Sequence, residues 1–145
     1  MDAAQQALAN TALVVDDLEY ALIHLPAGAI TAAAGVLAEI GEPFSALLAD
    51  RDEVTLVLPD DAWREFQARL PAHRAAAPFR LITFDAPLPP DLVGFLALVS
   101  QALAEAGVTI LALSAFERDH LLVPSGQLER AVAALRDAQA RAAQT

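Results

Sequence analysis

The side chains that could do chemistry in this sequence are few and widely spaced. Its histidines lie on separate predicted elements, without the HxxxH spacing of a metal site: His24, His73 and His120. Its candidate serines lack the GxSxG context of a nucleophile: Ser100, Ser114 and Ser125. Cys and Lys are absent, which excludes thiol nucleophiles, Cys-ligated zinc and Schiff-base or P-loop lysines. The sequence therefore predicts no catalytic centre, no metal site and no cofactor.

Composition narrows the class of protein further. The chain has 145 residues, 56% of them hydrophobic, with a formal charge of −10 at pH 7. This length suits one domain or two very small ones, and the apolar fraction predicts a buried core. An acidic chain lacks the basic surface that binds the phosphate backbone, so we expect no nucleic-acid partner. The longest uncharged stretch, 20–38, is interrupted by Pro26, and the first residues lack a basic region. We therefore expect a cytoplasmic protein without membrane contact.

Helical and strand-like patterns alternate along the chain. Apolar or alternating runs predict strands at Leu18–Leu25, Phe44–Leu48, Val54–Leu58, Arg80–Asp85, Val108–Ser114 and His120–Val123. Helical spacing follows at Thr31–Ile40, after Asp60 or Asp61, after Asp91 and after Ser125, with each of these polar residues expected to cap its helix. Pro71–Pro78 is expected to be a connection, and the polar tail after Ala138 to be loose.

The two halves of the chain repeat the same order of elements. The segment Leu37–Gly41 matches Leu103–Gly107, and Leu56–Pro59 matches Leu121–Pro124, each at a similar place in its half. Strands joined by helices in this order form an antiparallel sheet with helices on one face, which is an α+β architecture. We expect a first unit at 18–77, a second at 78–140 and an N-terminal extension, at most a short helix, at 1–17.

The second half also resembles a known family. The carrying segments, in order, are Leu92–Leu96, Ala102–Gly107, Leu111–Phe116 and Asp119–Pro124. They resemble small tandem ACT-domain proteins, the bacterial relatives of the CASTOR-type arginine sensors. The sequence departs from the family pattern at Arg118, where a small residue is usual, and at His120. The resemblance implies two ferredoxin-like βαββαβ units. It also implies a regulatory protein that binds a small molecule, typically an amino acid, at the seam between ACT units.

A candidate ligand site follows from what an amino acid requires. Its carboxylate would bind backbone N–H groups at a helix N-terminus, which the turn with Val93 and Gly94 could provide. Its ammonium group would bind the carboxylate of Asp119, close to Ser114 at a strand end. In the ACT pattern these two places come together, and Phe116 would form an apolar wall. The predicted ligand-binding residues are therefore Val93, Gly94, Ser114, Phe116 and Asp119.

Each of these residues also has a purely structural interpretation. Gly94 would allow close packing of the helix, Asp119 would be a turn residue, and Phe116 would belong to the core. Asp91 would compete with a ligand for the helix N–H groups, and Arg118 would pair with Glu117 or Asp52. On this interpretation the protein is a ligand-free module for dimerisation or protein interaction. A homodimer is compatible with either function, and an enzyme remains a third alternative.

Overall fold

Alternating apolar side chains form the strands, and the α+β class predicted from them is confirmed. The computed structural model describes residues 2–40, 43–71 and 73–145. The strands are β1 Ala12–Val15, β2 Tyr20–Pro26, β3 Ala46–Ala49, β4 Glu53–Pro59, β5 Arg74–Asp85, β6 Leu111–Ser114 and β7 Asp119–Pro124. The helices are α1 Ala3–Asn10, α2 Ile30–Glu39, α3 Asp60–Phe66, α4 Phe95–Glu105 and α5 Leu128–Ala143. Within the described part of the chain, none of these helices has the length and apolarity needed to cross a bilayer.

Leu18–Phe79 form one compact unit, here called the continuous unit. Its strands lie in the order β3-β4-β2-β5, and both β2 and β3 pair antiparallel with β4. Alternation along β2 places Ala21, Ile23 and Leu25 in the core. The matching row on β4 and residues from α2 and α3 complete this core: Val54, Leu56, Leu58, Val36 and Trp63. The unit therefore has a βαββαβ order with the helices on one face of the sheet.

Met1–Asp17 and Arg80–Thr145 form the other compact unit, here called the split unit. Its strand order is β6-β7-β5, and β1 pairs antiparallel with β5, with Ala12 opposite Asp85. The rings of Phe84 on β5 and Phe95 on α4 pack edge to face in the core, with their centroids 5.3 Å apart. Leu8 of α1 is buried in the same core. The missing last strand of this βαββα sequence is thus supplied from the start of the chain.

The N-terminal residues and the region before Arg80 differ from expectation. Residues 1–17 were expected as an extension, whereas the structure uses Ala12–Val15 as a strand, because β5 offers an unpaired edge there. Pro71–Pro78 is not simply a connection, because β5 already begins at Arg74 and pairs with β2. The register between β2 and β5 shifts between Tyr20 and Leu22, and such an irregularity lets a strand tolerate Pro78.

All three expected helix caps are wrong, and the C-terminal tail is ordered. Helix α3 begins at Asp60 itself, with Pro59 at its N-cap and no capping side chain among the described residues. Helix α4 begins only at Phe95, after Gly94 rather than after Asp91. Ser125 starts a 3₁₀ turn ahead of α5, and its hydroxyl is buried without a hydrogen-bond partner in the described part of the chain. Helix α5 continues to Ala143 because Ala138 and Ala142 pack into the core of the split unit.

Candidate functional site

A polar concave surface of the split unit lies beside the start of α4. The loop that leads into α4 and the β6–β7 hairpin enclose an open cleft of about 460 Å³. Residues of the loop and the helix start line one side: Leu88, Pro89, Pro90, Leu92, Gly94, Phe95, Leu96 and Ala97. Residues of the hairpin line the other: Ser114, Ala115, Phe116, Glu117, Arg118 and Asp119. This volume is in the range of small-molecule sites.

The structure brings most of the predicted ligand residues together. Gly94, Ser114, Phe116 and Asp119 all line this cleft. Val93 does not line it, and its side chain is 87% exposed. The helix-opening loop and the strand end therefore meet within one unit. That these residues bind a ligand remains a prediction.

Gly94 determines how α4 begins. Its backbone is left-handed, with φ +94°, a conformation that side chains other than glycine rarely adopt. No side chain among the described residues caps α4, so the expected capping by Asp91, which would compete with a ligand, is wrong. The first N–H groups of a helix lack partners within the helix. Those of α4 belong to 94–97, and every one of these residues lines the cleft. The cleft therefore presents unpaired donors at the positive end of a helix dipole.

Asp119 and Ser114 face each other across the mouth of the β6–β7 hairpin. They are directly opposite in the antiparallel register, Ser114 as the last residue of β6 and Asp119 as the first of β7. Asp119 is half-buried, and its carboxylate makes no hydrogen bond or ion pair to any residue that the structure describes. This differs from the expected turn interpretation, in which its side chain would bond locally. A hydroxyl and a free carboxylate thus lie opposite the helix N–H groups in one cleft.

The remaining charges of the hairpin leave the cleft with an excess of carboxylates. The Arg118 guanidinium pairs with Asp85 rather than with Glu117 or Asp52, with 3.1 Å between Nε and Oδ1. Because this pair is half-exposed, it contributes less than about 1 kcal/mol. Its effect on the cleft is to neutralise the one cationic side chain in the lining, while Glu117 and Asp119 remain. The lining is therefore suited to a ligand that carries a positive group.

His120 follows Asp119 on the strand and is kept neutral. Burial lowers the pKa of His120 below its usual value, as does the Arg118 charge, whereas the Asp119 charge raises it. Its Nδ1 is hydrogen-bonded to Thr83 Oγ1 at 2.9 Å. The side chains of strand residues alternate between faces, so His120 lies on the sheet face opposite to Asp119. It is outside the lining of the cleft and does not form part of the candidate site.

Several lining residues were not anticipated from the sequence. Leu88 is 8% exposed, and its N–H donates to the Glu117 carbonyl at 2.7 Å, which ties the loop to the hairpin. The rigid Pro87–Pro90 segment was the available signal, but it carries no indication of its partner. Phe116 was interpreted alternatively as a core residue, and this is wrong because its side chain is 82% exposed.

Comparisons with known proteins agree with this architecture. Residues 75–137 match the family model of the ACT domain, and this segment contains the whole cleft. No curated protein sequence matches the chain.

Several solved structures share the fold. A protein from Agrobacterium tumefaciens is 26% identical, with 89% of each chain covered and a TM-score of 0.69. A Vibrio cholerae protein described as a possible transport protein is 24% identical, with 91% of this chain and 93% of that chain covered and a TM-score of 0.70. The ligand-free regulatory subunit of aspartate kinase from Thermus thermophilus is 18% identical, covers 88% and 97% of the two chains and has a TM-score of 0.72.

Proposed function

We propose that this chain is a regulatory protein that binds a small zwitterion, an amino acid, in the cleft of its split unit. The observation that carries the proposal is the pairing of opposite recognition elements across one cleft. Unpaired N–H groups at the start of α4 would bind the ligand carboxylate, and the Asp119 carboxylate would bind its ammonium group. The ACT domain match over residues 75–137 supports a role of this kind.

The role of each side chain follows from its place in the cleft. Ser114 would donate or accept a hydrogen bond beside Asp119, and Glu117 would favour a second positive group on the ligand. Phe116 would cover apolar parts of the bound molecule. None of these groups forms a nucleophile–base pair, so we propose binding without catalysis. The relationship to the CASTOR-type arginine sensors remains a prediction, and it places arginine among the first ligands to test.

A screen by thermal shift tests this proposal. The native protein is heated with each of the twenty amino acids and with polyamines at millimolar concentration. A ligand that binds only the folded state raises stability by RT ln(1 + [L]/Kd), which is about 2.7 kcal/mol at a hundredfold excess over Kd. We expect a rise of several degrees in Tm for one or two amino acids.

Variants then assign the shift to the cleft. Asp119→Asn should abolish most of the shift, because the charge-assisted bond to the ammonium group is lost. The matched control is Asp52→Asn on the β3–β4 hairpin, where Asp52 is exposed and only pairs with exposed Arg51. A full shift in the Asp119→Asn protein would remove Asp119 from the site.

A ligand-free interaction module is the second candidate function. The observation in its favour is the exposure of two large apolar side chains on the split unit, Val93 at 87% and Phe116 at 82%. Such side chains contribute to protein contacts when they are covered. If no compound in the screen shifts Tm, sedimentation of the wild type against Val93→Ser and Phe116→Ser variants would test this function. A self-associating wild type and monomeric variants would support it.

A further inference from the structure

Helix α1 is held firmly at both of its ends. At the start, the Asp2 carboxylate accepts from the Gln5 N–H at 2.8 Å, and the Gln5 side chain accepts from the Asp2 N–H at 3.0 Å. This reciprocal capping box defines where the helix begins. At the end, Gln139 of α5 donates through Nε2 to the carbonyls of Leu8 and Thr11, at 3.0 and 2.7 Å. The helix is therefore a docked part of the split unit rather than a loose terminus.

The docked face of α1 meets the loop that forms the cleft. A methyl group placed on Gly94 would lie 3.6 Å from Ala4 Cβ, so Ala4 is in contact range of the residue that starts α4. Further along, a groove of about 290 Å³ separates α1 from the loop, and Leu88 lines this groove as well as the cleft. The loop 86–94 thus has α1 on one side and the ligand cleft on the other.

We infer that α1 positions the loop 86–94, with Ala4 as the positioning residue for Gly94, and thereby controls the affinity of the cleft. The part of this inference that concerns affinity rests on the proposed function. Since a change in loop position alters where the N–H groups at the start of α4 point, the docking of α1 and ligand binding are coupled. Such coupling is reciprocal, so a bound ligand must also tighten the docking of α1.

The test compares two substitutions that add the same bulk at similarly buried positions of the split unit. Ala4→Val crowds Gly94, whereas Ala142→Val crowds the α5 side of the core, and the two alanines are similarly buried at 4% and 5% exposed. Both variants should lose stability. For the amino acid found in the screen, we expect Ala4→Val to bind about fivefold more weakly or worse, and Ala142→Val to bind like the wild type. Ala4→Ser adds much less bulk than Ala4→Val and should bind the amino acid with the affinity of the wild type.

Amide hydrogen exchange tests the positioning without any ligand. The Leu88 N–H, bonded to Glu117, reports on the loop, and the Val108 N–H, bonded to the Leu103 carbonyl at 2.9 Å, reports on the same unit elsewhere. The quantity compared is the ratio of the exchange rate at Leu88 to that at Val108. We expect Ala4→Val to raise this ratio about tenfold more than Ala142→Val does, which is a difference of about 1.4 kcal/mol in the free energy of local opening. Equal ratios in the two variants would overturn the inference. Because this measurement needs no ligand, it decides the inference even if the screen finds no amino acid and the proposed function fails.

Discussion

The two units build the same order of strands but join their first strand to their first helix differently. In the continuous unit, β2 passes into α2 through a single 3₁₀ turn, Ala27–Ala29. In the split unit, β5 is followed by the loop 86–94, which ends in the left-handed Gly94 before α4 begins. The short connection places α2 directly on its strand. The long one leaves room for a cleft at the start of α4.

The β3–β4 and β6–β7 hairpins also differ at the residue where the second strand leaves the turn. Val54 begins the core-facing row of β4 and is 1% exposed, opposite Ala49 of β3. Asp119 holds the corresponding place on β7, opposite Ser114. A buried apolar side chain, Val54, thus lies in one unit where a half-buried carboxylate, Asp119, borders a cleft in the other. The same hairpin backbone can therefore have a buried apolar residue or a cleft-lining polar residue at this position, depending on loop length and a few side chains.

Exchanging the polarity of these positions gives the largest expected effect. Val54→Asp would place an unpaired charge in the core of the continuous unit and should lower the free energy of unfolding by at least about 3 kcal/mol. Trp63, the single tryptophan of the chain, lies in the same core, so its fluorescence in a urea titration measures this loss. The opposite exchange, Asp119→Val, should change stability by less than about 1 kcal/mol. Similar losses in both variants would show that the two hairpin ends are not different environments.

Glycine substitutions in the two strand–helix connections give the next effect. Gly94→Ala should cost about 1–2 kcal/mol, because alanine is strained at a left-handed position. Gly28→Ala is the matched control, since Gly28 has no positive φ and no atom within 4 Å of the added methyl group. It should leave the stability unchanged or raise it slightly. Thermal unfolding followed by circular dichroism distinguishes the two. A stable Gly94→Ala protein would contradict the described start of α4.

The turns of the two hairpins should respond differently to loss of their acidic side chains. The Asp50 carboxylate accepts from the N–H groups of Asp52 and Glu53, at 2.8 and 2.9 Å, and adds to the backbone bond from the Asp50 N–H to the Glu53 carbonyl. Asp50→Ala should therefore cost about 1 kcal/mol. Glu117→Ala should cost less than about 0.5 kcal/mol, since Glu117 bonds Leu88 through its carbonyl, which alanine retains. Urea midpoints of the two variants provide the comparison, and a larger loss for Glu117→Ala would reverse it.

The smallest effect concerns pH and is confined to the split unit. Burial lowers the pKa of His120 in the folded protein, so on acidification the unfolded chain takes up this proton first. The contribution of His120 to stability is therefore complete above the ordinary histidine pKa of about 6.5 and is lost as the pH falls below it. His120→Gln should make Tm less dependent on pH as the pH falls below about 6.5. An unchanged pH dependence of Tm would show that His120 is not responsible.

Most residues of the candidate site could be predicted from the sequence, but the contacts that hold the loop and the hairpin around it could not. Gly94, Ser114 and Asp119 were singled out because glycine and polar residues mark helix starts and strand ends, and because the ACT resemblance brings these two places together. Leu88 and the Asp85 partner of Arg118 were not, since neither contact is close in sequence. Asp91 was mistaken for a cap because its chemistry is right for one, whereas a glycine with φ +94° begins α4 instead.

The sequence by itself determined the α+β class, the two repeated units, the faces of β2 and the absence of thiol and lysine side chains. These properties depend on local periodicity and on residue types, which a linear chain displays directly. Only the tertiary structure decided that Ala12–Val15 complete the sheet of a unit whose other residues begin at Arg80. It also decided that α1 lies against the loop of the cleft. Such pairings join residues far apart in the chain and are selected by the burial of a shared core, for which no local pattern exists.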